Sequence, residues 1–136
     1  MYLILKAANN NPMQLKVSVT EGIFYINPQD IICLEANSNY TKLYLTGSRN
    51  LFSAKTLKAY QSLLPPNAFL RVHSAFLINK MHISHICGRE IVVLTQDIQV
   101  PLARRRKSAF FQQLQQDLHT QDIENEIFNI QLNKVG

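Results

Sequence analysis

The chain is poor in residue types and patterns whose scarcity excludes whole classes of protein. It has two cysteines in 136 residues, too few for a disulfide scaffold, and this low number favours a reducing, cytoplasmic setting. No apolar run approaches the roughly 18 residues of a membrane span. The early apolar stretch, residues 2–5, is also too short for the core of a signal peptide. We therefore expect neither a membrane segment nor a secretory leader.

The motifs of common catalytic and metal sites are also missing. The four glycines stand singly, so there is no glycine-rich phosphate loop, and no glycine-flanked serine predicts a nucleophile elbow. His82, His85 and Cys87 lie close together, but their spacing lacks the two separated ligand pairs of a zinc site. We interpret them as histidines at a strand end and a buried cysteine. The sequence predicts no enzyme, metal, cofactor or small-molecule substrate.

The size and composition fit one ordinary domain with short additions at each end. The mass is 15.6 kDa and 46% of the residues are apolar, which is typical of a globular chain. A polar stop at residues 9–12 separates the first residues from the patterned region, and acidic residues collect near the C-terminus. We predict a lead-in segment over residues 1–13, a domain over 14–116 and an acidic extension over 117–136.

Positive charge is concentrated in the middle of the chain. The net charge is +5, and residues 36–116 hold eleven basic residues against two acidic ones, Glu90 and Asp97. Such a section repels itself, and its charge indicates a polyanionic partner, most simply nucleic acid. The alternative is a solvated basic face that only aids solubility.

Short stretches of alternating or β-branched apolar residues predict a mainly β fold. Thr56 can cap a short internal helix that ends at Pro65, and a C-terminal helix follows Arg104. Pro101 indicates that the last strand lies at a sheet edge. The predicted strands cover residues 15–20, 23–26, 31–35, 42–46, 49–53, 69–72, 83–86, 91–94 and 99–102, and residues 76–78 are predicted to be buried anchors.

The basic run Arg104-Arg105-Arg106-Lys107 is the strongest candidate binding site. It lies where the C-terminal helix is predicted to begin, although cations are unfavourable at that positively polarised end. Four cations there are explained if phosphates approach, because the N–H groups of the helix then add to the attraction. The alternative is a frayed, solvated helix start.

Two further segments carry groups that can contact bases or phosphates. The loop formed by Asn37, Ser38, Asn39, Tyr40, Thr41 and Lys42 offers amides, hydroxyls, an aromatic ring and a cation. The segment Arg71-Val72-His73-Ser74 would place Arg71 and His73 on one face of a strand and Ser74 in the next loop. Each segment is weak alone, because asparagine-rich loops are common turns and a single histidine is usually structural.

Four sequence marks in order resemble the LytTR family of bacterial DNA-binding domains over about residues 15–114. The most specific is Phe69-Leu70-Arg71-Val72-His73-Ser74-Ala75-Phe76-Leu77-Ile78-Asn79. The others are Ile32-Cys33-Leu34-Glu35-Ala36 followed by Asn39-Tyr40, Leu57 ahead of Leu64-Pro65, and Val100-Pro101-Leu102-Ala103-Arg104-Arg105.

The resemblance implies small antiparallel β-sheets in a β-β-β arrangement, with one short internal helix and a C-terminal helix. It implies that loops, rather than a recognition helix, enter successive major grooves of double-stranded DNA, and that the protein regulates transcription as a response-regulator output domain of a two-component system. The loops carried over are Asn39 to Lys42, the surroundings of His73 and Ser74 with Asn79 and Lys80 nearby, and Arg104 with Arg105.

Two positions depart from the family pattern. The family usually has Arg, Lys or Asn where this chain has Ser74, and serine where it has Ala103. Most relatives carry a phosphorylation-receiver domain or a membrane segment ahead of this module. The 14 leading residues have no room for either, so we expect a stand-alone regulator or a fragment of a longer one.

The expected mechanism is sequence-specific binding at repeated or palindromic half-sites. Arg104 and Arg105 are the candidates for guanine contacts, because one guanidinium can donate to both acceptors on that base edge. Lys42, Lys80, Arg106 and Lys107 would mainly hold phosphates.

Other functions and the role of the extension stay open at this point. A protein-interaction module could use the same basic surface. RNA binding is less expected, because most aromatics (Phe24, Tyr25, Phe69, Phe76, Phe110 and Phe111) fall on positions predicted to be buried, with Tyr40 and Tyr44 as exceptions. The acidic extension could form a homodimer, pack on its own domain, or fold back over the basic surface and compete with DNA; packing is favoured over competition.

Overall fold

The computed structural model describes residues 14–121, with side chains described as far as Gln116. The predicted lead-in segment, residues 1–13, lies outside the described residues. So does the chain beyond Gln121, on which the three interpretations of the acidic extension depend.

Ten strands and two α-helices make up the described part of the chain. The helices are α1 (Leu57–Leu63) and α2 (Lys107–Gln121), and four short 3-10 turns precede a strand or α2. All nine predicted strand segments are confirmed, and residues 76–78, predicted only as buried anchors, belong to a tenth strand. The strands are β1 (Leu15–Val19), β2 (Gly22–Ile26), β3 (Ile31–Asn37), β4 (Tyr40–Leu45), β5 (Arg49–Ser53), β6 (Phe69–His73), β7 (Phe76–Asn79), β8 (Ile83–Cys87), β9 (Ile91–Leu94) and β10 (Ile98–Pro101).

The strands form three antiparallel sheets. The central sheet has five strands in the order β5-β4-β3-β7-β6, a second has three in the order β10-β9-β8, and β1 pairs with β2 alone. The predicted class, mainly β with small antiparallel sheets and two helices, is confirmed. Pro101 lies on β10, an edge strand of its sheet, where its missing N–H leaves no ladder hydrogen bond unmade.

The central sheet is covered on both faces because both sets of alternating side chains are apolar. On one face, Leu34, Leu43 and Leu77 pack against α1 and the β1–β2 hairpin. On the other face, Cys33 and Ile78 pack against the three-stranded sheet and α2. This two-layer burial fixes the strand ends, and therefore the loops that join them, in one arrangement.

The short helix α1 forms where the sequence predicts it. The Thr56 hydroxyl accepts a hydrogen bond from the Ala59 N–H at 3.1 Å, which satisfies one of the donors at the helix start. Leu57 and Tyr60 point into the core, and the Tyr60 hydroxyl donates to Ser53 Oγ at 2.6 Å. Pro65 follows directly after the cap residue Leu64, and the chain turns away.

Three burial predictions are wrong. Phe24 and Tyr25 are 38% and 61% exposed, because they lie on an edge strand of a two-stranded sheet, in which only Ile26 of the five β2 residues is buried. Cys87 is exposed at the end of β8 rather than buried. Between residues 14 and 121, neither helix combines the length and apolar character needed to cross a bilayer.

The two cysteines should differ in reactivity. Cys33 is buried in the central sheet, and burial, followed by the nearby Glu35 carboxylate, raises the pKa of its thiol to about 12 from 9.0. We expect a thiol reagent at pH 8 to modify Cys87 quickly and Cys33 only on unfolding.

The pH dependence of stability follows from the same shift. Below about pH 9 the Cys33 thiol is protonated in both states, and above it the unfolded chain loses that proton more readily. Stability from this group should therefore fall as the pH rises from about 9 towards 12. Cys87→Ser is the control, since it should leave both the slow reaction and the alkaline loss unchanged.

Candidate nucleic-acid interface

Three polar segments meet at one end of the central sheet. β3 and β6 both end there, and β4 and β7 both begin there, because β3 pairs antiparallel with β4 and β7, and β7 pairs antiparallel with β6. The turn between β3 and β4 and the turn between β6 and β7 therefore lie side by side. The Ala36 N–H donates to the Ala75 carbonyl at 2.8 Å and joins them directly.

The β3–β4 turn presents the amide of Asn39. Only Ser38 and Asn39 separate the paired residues Asn37 and Tyr40, so the hairpin is tight. Ser38 has a φ of 52°, a left-handed conformation that a two-residue hairpin turn needs. Asn39 is exposed, and its side chain projects from a turn that pairing on both sides holds.

The remaining predicted residues of this loop do not lie at its tip. Thr41 is 1% exposed, and its hydroxyl donates to the Lys55 carbonyl at 2.7 Å, so Thr41 fixes the loop from inside. The Tyr40 ring packs edge-on against the Phe52 ring, with 5.4 Å between the ring centres. Lys42 lies on the same sheet face, with its Nζ 4.3 Å from the centre of the Tyr44 ring.

Tyr44 holds this part of the sheet face in place. Its hydroxyl donates to Glu35 Oε1 at 2.6 Å, and burial together with this hydrogen bond raises the pKa of the tyrosine. The phenol therefore keeps its proton and its bond to the carboxylate. Glu35 pairs with Lys42 across the strands, which places a negative charge beside the lysine.

The prediction that Arg71 and His73 share one face of a strand is wrong. The register of β6 against β7 shifts between these two residues, a β-bulge that inserts Val72 into the core. Arg71 is paired with Leu77 and His73 with Phe76, which belong to opposite faces of the sheet.

Arg71 uses its guanidinium to hold the β6–β7 turn. Its Nε donates to the His73 carbonyl at 3.1 Å, its Nη2 to the Ser74 carbonyl at 2.6 Å and its Nη1 to Gln61 Oε1 at 2.6 Å. Partial burial, and then the nearby charge of Arg106, lower the pKa of Arg71. The structure thus assigns Arg71 a role in shaping the loop that carries the exposed Ser74.

His73 also supports this turn. Its Nδ1 accepts a hydrogen bond from the Ala75 N–H at 3.0 Å, which requires that nitrogen to carry no proton. The ring packs edge-on against Phe76, with 5.8 Å between the ring centres. Two side chains therefore fix the conformation in which Ser74 is presented.

The basic run lies next to the same turn. Arg104, Arg105 and Arg106 form a 3-10 turn, and α2 begins only at Lys107, one turn later than predicted. The Ala103 N–H donates to the Val72 carbonyl at 2.8 Å, which ties the start of the run to the bulge of β6. Arg104 and Arg105 are exposed, and Ala103 makes no side-chain capping bond of the kind that serine could make.

Asn79 and Lys80 do not belong to this end of the sheet. They stand at the far end of β7, about 10 and 13 Å from its beginning at roughly 3.3 Å per residue. Asn79 is 2% exposed, and its amide donates to the Ile31 carbonyl at 2.9 Å and accepts from the Met81 N–H at 3.0 Å. The structure corrects their predicted position beside His73 and Ser74.

Sequence reasoning missed Lys55. This exposed residue follows β5, whose end lies beside the β3–β4 hairpin through the hydrogen bond from Thr41. The sequence contained a signal for Lys55. Because β5 runs towards the end of the sheet that carries the β3–β4 turn, a lysine two residues after β5 falls at that same end. In order across this end lie Arg104, the β6–β7 turn, the β3–β4 turn and Lys55.

His82 and His85 are held by other contacts, and Cys87 is exposed. The His82 ring nitrogens lie 2.8 Å from Thr95 Oγ1 and from the Gln29 carbonyl, and His85 contacts Ser84. Over residues 14–121, no three His, Cys, Asp or Glu side chains are grouped so as to hold a metal ion.

A β scaffold that presents amides, hydroxyls and arginines on adjacent loops has the form of a loop-based nucleic-acid-binding domain. The chain belongs to the LytTr DNA-binding domain family, whose family model matches residues 21–115.

Individual relatives agree with this assignment. The sensory transduction protein LytR of Staphylococcus epidermidis is 31% identical over 104 residues, which cover 74% of this chain and 41% of that protein. The transcriptional regulatory protein LytR of Staphylococcus aureus is 24% identical over 99 residues, covering 70% and 40%. The chain thus spans about two fifths of the length of these relatives.

A solved structure supports the fold. The LytTr DNA-binding domain of a putative methyl-accepting/DNA response regulator from Bacillus cereus superposes with a TM-score of 0.67 at 21% identity. The match covers 76% of this chain and 97% of that one, so the two share one architecture throughout the domain.

Proposed function

We propose that the chain binds double-stranded DNA in a sequence-specific manner and regulates transcription, with its loops entering successive major grooves. The observation that carries the proposal is the line of three adjacent segments: Arg104 and Arg105, the β6–β7 turn and the β3–β4 turn. Two backbone hydrogen bonds of 2.8 Å join neighbouring members of this line. The names of the relatives and of the family point to the same function.

Base contacts are assigned to exposed groups at the tips of the line. Arg104 and Arg105 can each donate two hydrogen bonds to a guanine edge, and the Asn39 amide can pair with adenine. Ser74 offers one hydroxyl, which discriminates between bases less strongly than a longer charged side chain does. Arg106 and Lys107 follow Arg104 and Arg105 along the chain and are assigned to phosphates.

The inner residues position these tips. Arg71 donates to two backbone carbonyls of the β6–β7 turn, His73 Nδ1 accepts from the Ala75 N–H, and Thr41 donates to the Lys55 carbonyl, so we assign these three residues to positioning. Asn79 and Lys80 are left out of the interface because they lie at the other end of β7.

The test is selection of bound sequences from a random duplex pool at two salt concentrations. We expect an enriched motif that persists at the higher salt, because base contacts release few counterions. Binding without enrichment would contradict specific recognition and leave a charged surface only. Enrichment from a matched RNA pool instead would point to RNA as the partner.

Arg104→Ala and Lys107→Ala should have different effects on this binding. Arg104→Ala should cost roughly 1–3 kcal/mol and relax the preference at one base pair. Lys107→Ala should weaken binding to all sequences alike and reduce the salt slope by about one unit. Titrations of the selected duplex and a scrambled duplex over a salt series distinguish the two. Normal binding by both variants would show that the contacts are wrongly assigned.

A further inference from the structure

A groove beside the proposed interface contains two lysines that the DNA-binding loops do not use. It has a volume of about 670 Å³ and lies between β1 and the segment that joins β5 to α1. Among the described residues, the eight that line it include no Asp or Glu. They are Gln14, Leu15, Lys16, Ser18, Ser53, Ala54, Lys55 and Leu63.

The groove continues the line of DNA-facing segments. Lys55 provides one wall, and its carbonyl accepts the hydrogen bond from Thr41 in the β3–β4 hairpin. The end of β5 is therefore the next position along the sheet after that hairpin. β1 packs beside β5 and brings Lys16 to the opposite wall.

The chemistry of the groove fits the DNA backbone. Lys16 and Lys55 are exposed, and their ammonium groups can hold phosphate oxygens without directional restriction. Leu63 is 46% exposed although it ends a packed helix, and with Ala54 it offers an apolar surface to a deoxyribose. Gln14 and Ser18 supply neutral donors of the type that commonly contact phosphates, whereas Ser53 is buried and bonded to Tyr60.

We infer that this groove is a fourth DNA contact, which binds the sugar-phosphate backbone that flanks the sequence bound by the three loops. The inference rests on the proposed DNA-binding function. β5 lies three strand positions from β7, about 14 Å at roughly 4.8 Å per strand. At about 3.4 Å per base pair, the contact falls roughly four base pairs outside the position that faces Ser74.

The test uses three duplexes that carry the selected motif. One ends at the motif, and the other two extend it by about 10 base pairs, one helical turn, on one side or the other. For the unaltered chain, we expect one of the two extensions to raise affinity and to steepen the salt slope by about two units.

The variant Lys16→Gln with Lys55→Gln should lose that gain and bind the short duplex as the unaltered chain does. Arg49→Gln is the matched control, because Arg49 is exposed at the opposite end of β5 and its loss should keep the gain. Thermal unfolding of each variant shows whether the fold is retained. Lys55→Gln alone, which removes no buried group, should lose about half of the gain.

Four outcomes would count against the inference. An equal gain in the double variant would show that the groove does not contact DNA. Higher DNA affinity of the double variant would show that the lysines hold a competing anion, such as the acidic residues of segment 117–136. Failure of the unaltered chain to prefer the motif would reject the proposed function itself. Motif binding without any gain from either extension would reject only the fourth contact.

Discussion

Asn79→Ala is expected to lower the free energy of unfolding by about 2–4 kcal/mol while leaving the preferred DNA sequence unchanged. Asn79 is buried, and its Nδ2 donates to the Ile31 and Pro28 carbonyls at 2.9 and 3.3 Å. Its Oδ1 accepts from the Met81 N–H. Alanine cannot make these three hydrogen bonds, so backbone groups in the interior lose their side-chain partner. This loss costs far more free energy than the loss of an exposed amide.

Urea denaturation of the variant measures this loss directly, and selection from the duplex pool shows whether the motif persists. Asn50→Ala serves as the control, because Asn50 is exposed on β5 and its change should fall within about 0.5 kcal/mol. A variant at Asn79 with native stability and an altered motif would instead make this residue a base contact.

Arg71→Ala is expected to weaken binding of the selected duplex by roughly tenfold to a hundredfold, the equivalent of about 1–3 kcal/mol for one disrupted base contact. The guanidinium donates to the carbonyls of His73 and Ser74 and to Gln61, and without it nothing fixes the path of the backbone at Ser74 as firmly. The preference should relax at the base pair that faces this turn.

Arg71→Lys distinguishes positioning from charge. An ammonium keeps the charge but cannot donate in three fixed directions, so the lysine variant should bind nearly as weakly as the alanine variant. The salt slope should stay close to that of the unaltered chain, because Arg71 neutralises no phosphate in the proposed complex. Restoration of affinity by lysine, or a slope reduced by one unit, would contradict the positioning role.

Much of the fold follows from local patterns. Period-2 alternation and short apolar runs located nine of the ten strands, Thr56 marked the start of α1, and Pro101 marked an edge, because each of these signals depends on a few neighbouring residues. The exposure of Phe24 and Tyr25 was missed because exposure does not depend on neighbouring residues alone. An apolar strand looks the same in sequence whether or not another element covers its outer side.

The sequence indicated the three segments that lie together at one end of the sheet, but not the geometry within them. The bulge at Val72 adds one residue between Arg71 and His73, and no alternation in so short a strand reveals it. Asn79 and Lys80 follow His73 closely in sequence, yet the four residues of β7 carry them to the other end of the sheet. Lys55 was overlooked because its neighbour across the sheet is fourteen positions away in sequence.

The loops are attached to one five-stranded sheet, which fixes the distances between their tips. Strand spacing, about 4.8 Å, does not stretch, so neighbouring tips keep their separation whatever side chains they carry. In the proposed complex, one base pair inserted between two contacted positions would rotate one of them by about a tenth of a helical turn, out of reach of its loop. In the proposed mode of binding, sequence preference would change by substitution at the tips, whereas the distance between contacted positions would be inherited with the sheet.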